Sequence, residues 1–110
     1  YVYGDNGYSQ LGIPSNKINF TDEPIIHEFF ENISLKANII THNMTNDHCF
    51  VYSQDNGLFG FGRNESSMIG INGTSDNEGN IGTPTLIPCD FGSTLKTIKC
   101  GEYHSLFLTQ

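Results

Sequence analysis

Tyr3-Gly4-Asp5-Asn6-Gly7-Tyr8-Ser9-Gln10-Leu11-Gly12 and Phe61-Gly62-Arg63-Asn64-Glu65-Ser66-Ser67-Met68-Ile69-Gly70 are one pattern written twice in a chain of 110 residues. In both stretches an aromatic precedes a glycine, and an asparagine stands two residues after that glycine. An aliphatic residue followed by Gly12 or Gly70 closes each segment. Glycine and asparagine tolerate the positive φ of tight turns, so each stretch reads as a strand end running into a turn. Self-similarity at this period indicates a solenoid, a propeller or an array, and fold and function follow from the repeated unit.

The rest of the unit recurs as well. Each copy runs on to a proline, Pro24 and then Pro84. Each then reaches a histidine-led apolar run, His48-Cys49-Phe50-Val51-Tyr52-Ser53 and His104-Ser105-Leu106-Phe107-Leu108-Thr109. The offset is 58 residues from Gly4 to Gly62, 60 from Pro24 to Pro84 and 56 from His48 to His104. Such drift suits one structural unit with loops of changing length. It does not suit a rigid coiled-coil or collagen period. The units divide the chain at about 1–57 and 58–110.

Short strands are legible between the turns. Tyr1 to Gly4 is an aromatic strand, and Asp5-Asn6-Gly7 turns after it. Pro24 to Phe30 reads as extended, and Asn38 to Thr41 is a short β-branched run. Cys49 to Ser53 and Leu58 to Gly62 flank Gln54-Asp55-Asn56-Gly57, and Asn-Gly between two apolar runs is a strong hairpin signal. Leu95 to Cys100 alternates, and His104 to Thr109 repeats the strand at Cys49. Glu28 to Ala37 carries only weak helical periodicity through Phe29, Phe30 and Ile33, and is not expected to form a helix. Asn72 to Gly82 is polar, glycine-rich and aperiodic, so it reads as a loop whose Asp76 and Glu78 face solvent.

Composition narrows the function classes. The net charge is −7, and the five basic residues Lys17, Lys36, Arg63, Lys96 and Lys99 are scattered. Phosphate backbones are bound by clustered Lys and Arg, so direct nucleic-acid binding is not expected, whereas a basic protein partner is compatible. Cys49, Cys89 and Cys100 are odd in number and lack C-x-x-C spacing, which argues against a disulfide framework or a zinc site. They read as small hydrophobes in a reducing, intracellular setting, cytoplasmic or nuclear. The sequons at Asn19, Asn32, Asn43, Asn64 and Asn72 follow from a chain rich in Asn, Ser and Thr. No apolar run is long enough to span a membrane.

These motifs resemble the repeats of the regulator of chromosome condensation family. That repeat opens aromatic-Gly-x-Asn-x-x-Gly-Gln-Leu-Gly, passes a proline, and closes on Gly-x-x-His-Ser. Tyr3 to Asn6 with Gln10-Leu11-Gly12 matches the opening, and Gly101-Glu102-Tyr103-His104-Ser105 matches the close. The chain departs from the pattern where Tyr3 and Phe61 replace tryptophan, Ser9 and Ser67 replace glycine, and Thr45 replaces the glycine before His48. The resemblance implies an all-β fold of four-stranded antiparallel blades in a β-propeller. Two repeats leave open sheet edges, so the expectation is a partial ring, a fragment of a larger propeller. It further implies a protein-interaction scaffold without catalysis, or, alternatively, part of a guanine nucleotide exchange factor for a Ran-like small GTPase.

Gly4, Gly12, Gly62, Gly70 and Gly101 read as turn or close-packing residues, Asn6 and Asn64 as turn-bonding side chains, and His48 and His104 as structural markers of the repeat. No nucleophile-base-acid order, phosphate-cradling loop, cofactor site or metal site is expected. Tyr3 and Phe61 are expected in the core. Asp5, Tyr8, Arg63 and Glu65 lie on turns at one end of the blades and are the expected partner contacts, because binding residues concentrate on loops held by a rigid scaffold.

Overall fold

Turn residues cut the chain into eight short strands and one helical turn: β1 Val2–Asp5, β2 Phe20–Ile25, α1 Glu28–Asn32, β3 Ile39–Thr41, β4 His48–Ser53, β5 Gly57–Arg63, β6 Asn80–Leu86, β7 Leu95–Cys100 and β8 Ser105–Thr109. The computed structural model describes residues 1–33, 39–41, 47–53, 56–70, 79–88 and 95–109. Gln54, Asp55, Cys89, Asp76, Glu78 and the sequons at Asn43 and Asn72 lie outside the described residues.

All pairings are antiparallel. β3-β4-β5-β6 is a four-stranded sheet in sequence order, flanked by two-stranded sheets β1-β2 and β7-β8. The all-β, bladed expectation holds: the central sheet is one blade and its neighbours are half-blades. The blade takes strands from both sides of the sequence-unit boundary, so each unit of sequence spans two sheets.

The repeat is exact down to the register. Gly4 pairs with Thr21 and Asp5 with Phe20, as Gly62 pairs with Ile81 and Arg63 with Asn80. A β-bulge sits just before the glycine each time, between Val2 and Gly4 and between Gly60 and Gly62. Pro24 and Pro84 fall in β2 and β6, both at the end of their sheets. Proline cannot donate to a ladder and is tolerated on such edges.

The core lies between the central sheet and β7-β8. Phe50, Leu58, Met68, Ile69, Ile81, Ile87, Leu95 and Ile98 are buried together, with Phe107 packed edge-on to Phe50 at 5.2 Å. A second, aromatic cluster lies at the other seam. Phe29 and Phe30 of α1 meet the Phe59 ring at 5.6 and 5.9 Å, and Phe30 also stands 6.1 Å from Phe61.

Three expectations are corrected. The Pro24–Phe30 stretch is not one extended run: β2 begins at Phe20 and ends at Ile25, and α1 follows. That helix has no side-chain cap, and aromatic packing on β5 holds it where propensity and length would not. Second, Asn80 to Gly82 belong to β6 rather than to a loop, because pairing with β5 overrides their low strand propensity. Third, Tyr3 is 64% exposed whereas Phe61 is 4% exposed, since β1 has no strand on the side where β5 has β4.

Candidate loop-end interaction site

The turn after each glycine strand is built by an asparagine. Asn6 donates its backbone N–H to Asn19 O at 2.9 Å, and Asn64 donates to Gly79 O at 2.9 Å. The side-chain oxygen then reaches forward: Asn6 Oδ1 accepts from Leu11 N at 2.9 Å and Asn64 Oδ1 from Ile69 N at 3.1 Å. Ser9 N donates to Asn6 O and Ser67 N to Asn64 O, both at 3.0 Å. Ser9 and Ser67 stand at φ 60° and 53°, in the left-handed region the missing glycine would occupy.

These rigid turns hold Arg63. Its guanidinium lies over the Tyr8 ring at 5.1 Å and near the Tyr103 ring at 5.7 Å. Its NH2 donates to Glu65 Oε2 at 2.8 Å, and NH1 faces Asp47 Oδ2 at 3.6 Å. The backbone helps, since Arg63 N donates to Asp47 O at 2.8 Å. Burial raises the Asp47 carboxyl above its ordinary range; Arg63 opposes that rise, and the charges of Asp5 and Glu102 add to it. The hydrogen bond from Arg63 to Glu65 is the main reason the guanidinium is held more firmly protonated than usual. Three successive repeat segments therefore meet at one end, with Asp5, Glu65, Glu102, Tyr8 and Tyr103 exposed around one Arg.

Of the expected contacts, Tyr8, Arg63 and Glu65 come together directly, and Asp5 joins through its field on Asp47. Asp47, Glu102 and Tyr103 are further members that the sequence did not single out. Their signal was available: Glu102 and Tyr103 are the two variable positions inside Gly-x-x-His-Ser, and Asp47 occupies the Tyr103 position one unit earlier.

The histidines are placed differently from each other. His48 is buried, with Nε2 3.0 Å from Ser105 Oγ. Ser105 Oγ donates its single proton to Met68 O at 2.6 Å, so His48 Nε2 is the donor to Ser105. Desolvation, aided by the nearby His104, lowers the His48 pKa to about 4. The imidazole of one repeat thus ties to the serine of the next, and the hydroxyl points away from it. This is not the geometry of an activated nucleophile, which would direct its proton to the base. His104 is exposed and lies over Gly101, where an added Cβ would fall against its ring. His27 is a further buried imidazole, donating from Nε2 to Gly12 O at 3.0 Å, and burial lowers its pKa.

Among the described residues no group of His, Cys, Asp and Glu is arranged to hold a metal ion, and no helix is long and apolar enough to cross a membrane. An open groove of about 670 Å³ follows the seam between β1 and the central sheet, lined by Tyr3, Leu11, His27, Phe30, Cys49 and Phe61 among others.

Residues 55–108 match the family described as Regulator of chromosome condensation (RCC1) repeat. The match starts at the β4–β5 turn and runs almost to the end of β8. No curated protein and no solved structure matches the chain.

Proposed function

Residues 55–108 being a repeat of the regulator of chromosome condensation family, we propose that this chain acts as part of a β-propeller scaffold that docks a basic protein segment on its loop end. The family is a propeller scaffold, generally without enzymatic activity, and its repeats generally mediate protein interactions. The observation that carries the reading is the Arg63 cage. One guanidinium holds Tyr8 and Tyr103 in place, and four carboxylates surround it: Asp5, Asp47, Glu65 and Glu102.

A single arginine does not balance those acids, so the rim presents excess negative charge beside two ordered tyrosines. An incoming Lys or Arg gains charge attraction and an aromatic face together. The cage draws on positions that are not equivalent between the repeats, so the same surface does not recur at every turn. Repeat markers such as Gly4, Asn6 and His48 act on this reading as scaffold. We place the chain inside the cell, in cytoplasm or nucleus, on its free thiols Cys49 and Cys100.

Titration of a lysine- and arginine-rich probe peptide tests the docking. Asp5→Lys with Glu102→Lys is expected to weaken binding about tenfold or more at low salt, and the difference should shrink as salt screens the rim. Binding that is the same in both proteins would remove the reading. Nucleotide exchange is a separate outcome: faster GDP release from a small GTPase in the presence of the chain would favour that alternative instead.

A further inference from the structure

Two strand edges lack partners among the described residues, the outer edge of β8 and the outer edge of β1. Such edges present rows of unpaired N–H and C=O groups. The central sheet shows what the same sequence does when the edges meet. There β4 pairs with β5 through His48↔Gly62, Cys49↔Phe61, Phe50↔Gly60 and Val51↔Phe59. The repeat carries β4 onto β8, so His104, Ser105, Leu106 and Phe107 take the places of His48, Cys49, Phe50 and Val51. It likewise carries β5 onto β1, so Tyr1, Val2, Tyr3 and Gly4 take those of Phe59, Gly60, Phe61 and Gly62.

Burial separates the two settings. Phe50, Phe59 and Phe61 are 0%, 7% and 4% exposed, while Leu106, Tyr1 and Tyr3 at the same positions are 65%, 86% and 64% exposed. Residue class and strand position are shared, and the missing partner strand is what differs. Gly4 gives an independent sign. It holds φ +112° with nothing within 4 Å of where a Cβ would sit. Its counterpart Gly62 holds φ +101° with Asp47 O only 2.3 Å from that point. Asp47 corresponds to Tyr103, so the open space at Gly4 has the place of a second copy's Tyr103 carbonyl.

We propose that the β8 edge of one chain pairs antiparallel with the β1 edge of a second copy, completing a blade in the order β7-β8-β1-β2. The register is that of β4 and β5: His104 opposite Gly4, Ser105 opposite Tyr3, and Leu106 opposite Val2 of the second copy. Pairing satisfies the edge groups and covers the exposed apolar side chains, which is the dominant favourable term in association. The contact is head-to-tail, so assembly continues until the ring closes. Each copy adds two blades' worth of strands, and propellers hold about 4–8 blades, so closure takes about two to four copies. The inference rests on strand register and not on the docking face above, and either can fail alone.

Cysteine pairing reads the register. Leu106→Cys in one copy and Val2→Cys in another are directly opposite in the proposed pairing. Their Cα atoms would lie about 4.5–5.5 Å apart, within disulfide reach. Mild oxidation of the mixed variants should yield the 106–2 linkage, identified by mass spectrometry of the joined peptide. Leu108→Cys with Val2→Cys, two residues out of register, should yield several-fold less. Sedimentation of the unaltered chain should give masses of whole-number multiples at micromolar concentration. Leu106→Lys, a charge on an exposed edge position, should return it to the mass of one chain with its circular dichroism unchanged. A single-chain mass at every concentration, equal linkage at 106 and 108, or multiples that survive Leu106→Lys would each overturn the proposal.

Discussion

Replacing Gly62 by alanine should damage the chain far more than the same change at Gly4, although both glycines hold one place in the motif. Both have strongly positive φ, +101° and +112°, which a side chain rarely adopts. Such strain costs about 1–3 kcal/mol at either site. The surroundings then diverge. At Gly62 the new Cβ would lie 2.3 Å from Asp47 O and 2.9 Å from His48 Cα, both backbone atoms that cannot swing aside. Opening the β4–β5 bulge to admit it costs about a further 1–3 kcal/mol, on the overpacking scale. The displaced carbonyl is also the acceptor for Arg63 N at 2.8 Å, and loss of that bond adds about 1 kcal/mol. The expected total is about 3–6 kcal/mol at Gly62 against about 1–3 kcal/mol at Gly4. Domains carry only about 5–15 kcal/mol in all, so Gly62→Ala should bring the chain near unfolding. Urea titrations followed by circular dichroism, at dilutions where sedimentation shows single chains, give the midpoints. Equal losses at the two sites would refute the steric reasoning, and so would no loss at Gly62.

The serines at the motif's missing glycine give the opposite sign. Ser67 is exposed at φ 53°, so Ser67→Gly should stabilise by up to about 1 kcal/mol, seen as a higher urea midpoint. Ser9→Gly should gain less or lose, because Ser9 Oγ accepts from Ser15 N at 3.0 Å. Asn6→Ala should cost about 3 kcal/mol or more: it is fully buried, Oδ1 accepts from Leu11 N, and Nδ2 donates to Ile13 O and Ile18 O, groups that would all be left unpaired. His48 sets a pH window. Its folded pKa of about 4 lies below the ordinary 6.5, so the unfolded chain takes up the proton first. Its contribution is therefore whole above about pH 6.5 and is lost as pH falls from there to about 4, by on the order of 2–3 kcal/mol. The midpoint difference between the unaltered chain and His48→Gln across that range measures it, and a flat difference would contradict the burial argument.

Strands bounded by strong turn signals were legible. β4, β5 and β7 match their apolar runs to within a residue or two, since Asn56-Gly57 and the alternation in Leu95 to Cys100 act locally. β6 was hidden because Asn80, Gly82 and Pro84 each disfavour strand alone, and only the ladder to β5 makes them one. The helix α1 was hidden for a similar reason: five residues give too little periodicity, and the Phe59 ring that holds it lies far along the chain. The site divided the same way. Arg63 and Glu65 are neighbours in sequence and could be paired by eye. Asp47 and Tyr103 reach Arg63 only because β4 lies beside β5 and the next half-blade packs against them.

The offset between sequence unit and sheet ties these findings together. A unit that began and ended with its own blade would leave blades joined only by loops. Here each unit begins in the β5-type position of one sheet and ends in the β4-type position of the next. Every blade is therefore sealed by strands from two units, and the His48–Ser105–Met68 chain of hydrogen bonds crosses the same seam. Repeat units of this kind depend on neighbours for stability. The offset makes that dependence covalent in one direction, along the chain, and leaves it unsatisfied at β1 and β8. Weakening the seam should therefore act at a distance: a change at Ser105, on β8, should loosen the loop at Met68 and with it the turn that carries Arg63. Ser105→Ala removes the donor to Met68 O and the acceptor for His48 in one step, and leaves both buried groups wanting partners at about 1–3 kcal/mol each. Amide exchange should then quicken in residues 64–70 as well as in β8. Faster exchange confined to β8 would mean that the two sheets are coupled by packing alone.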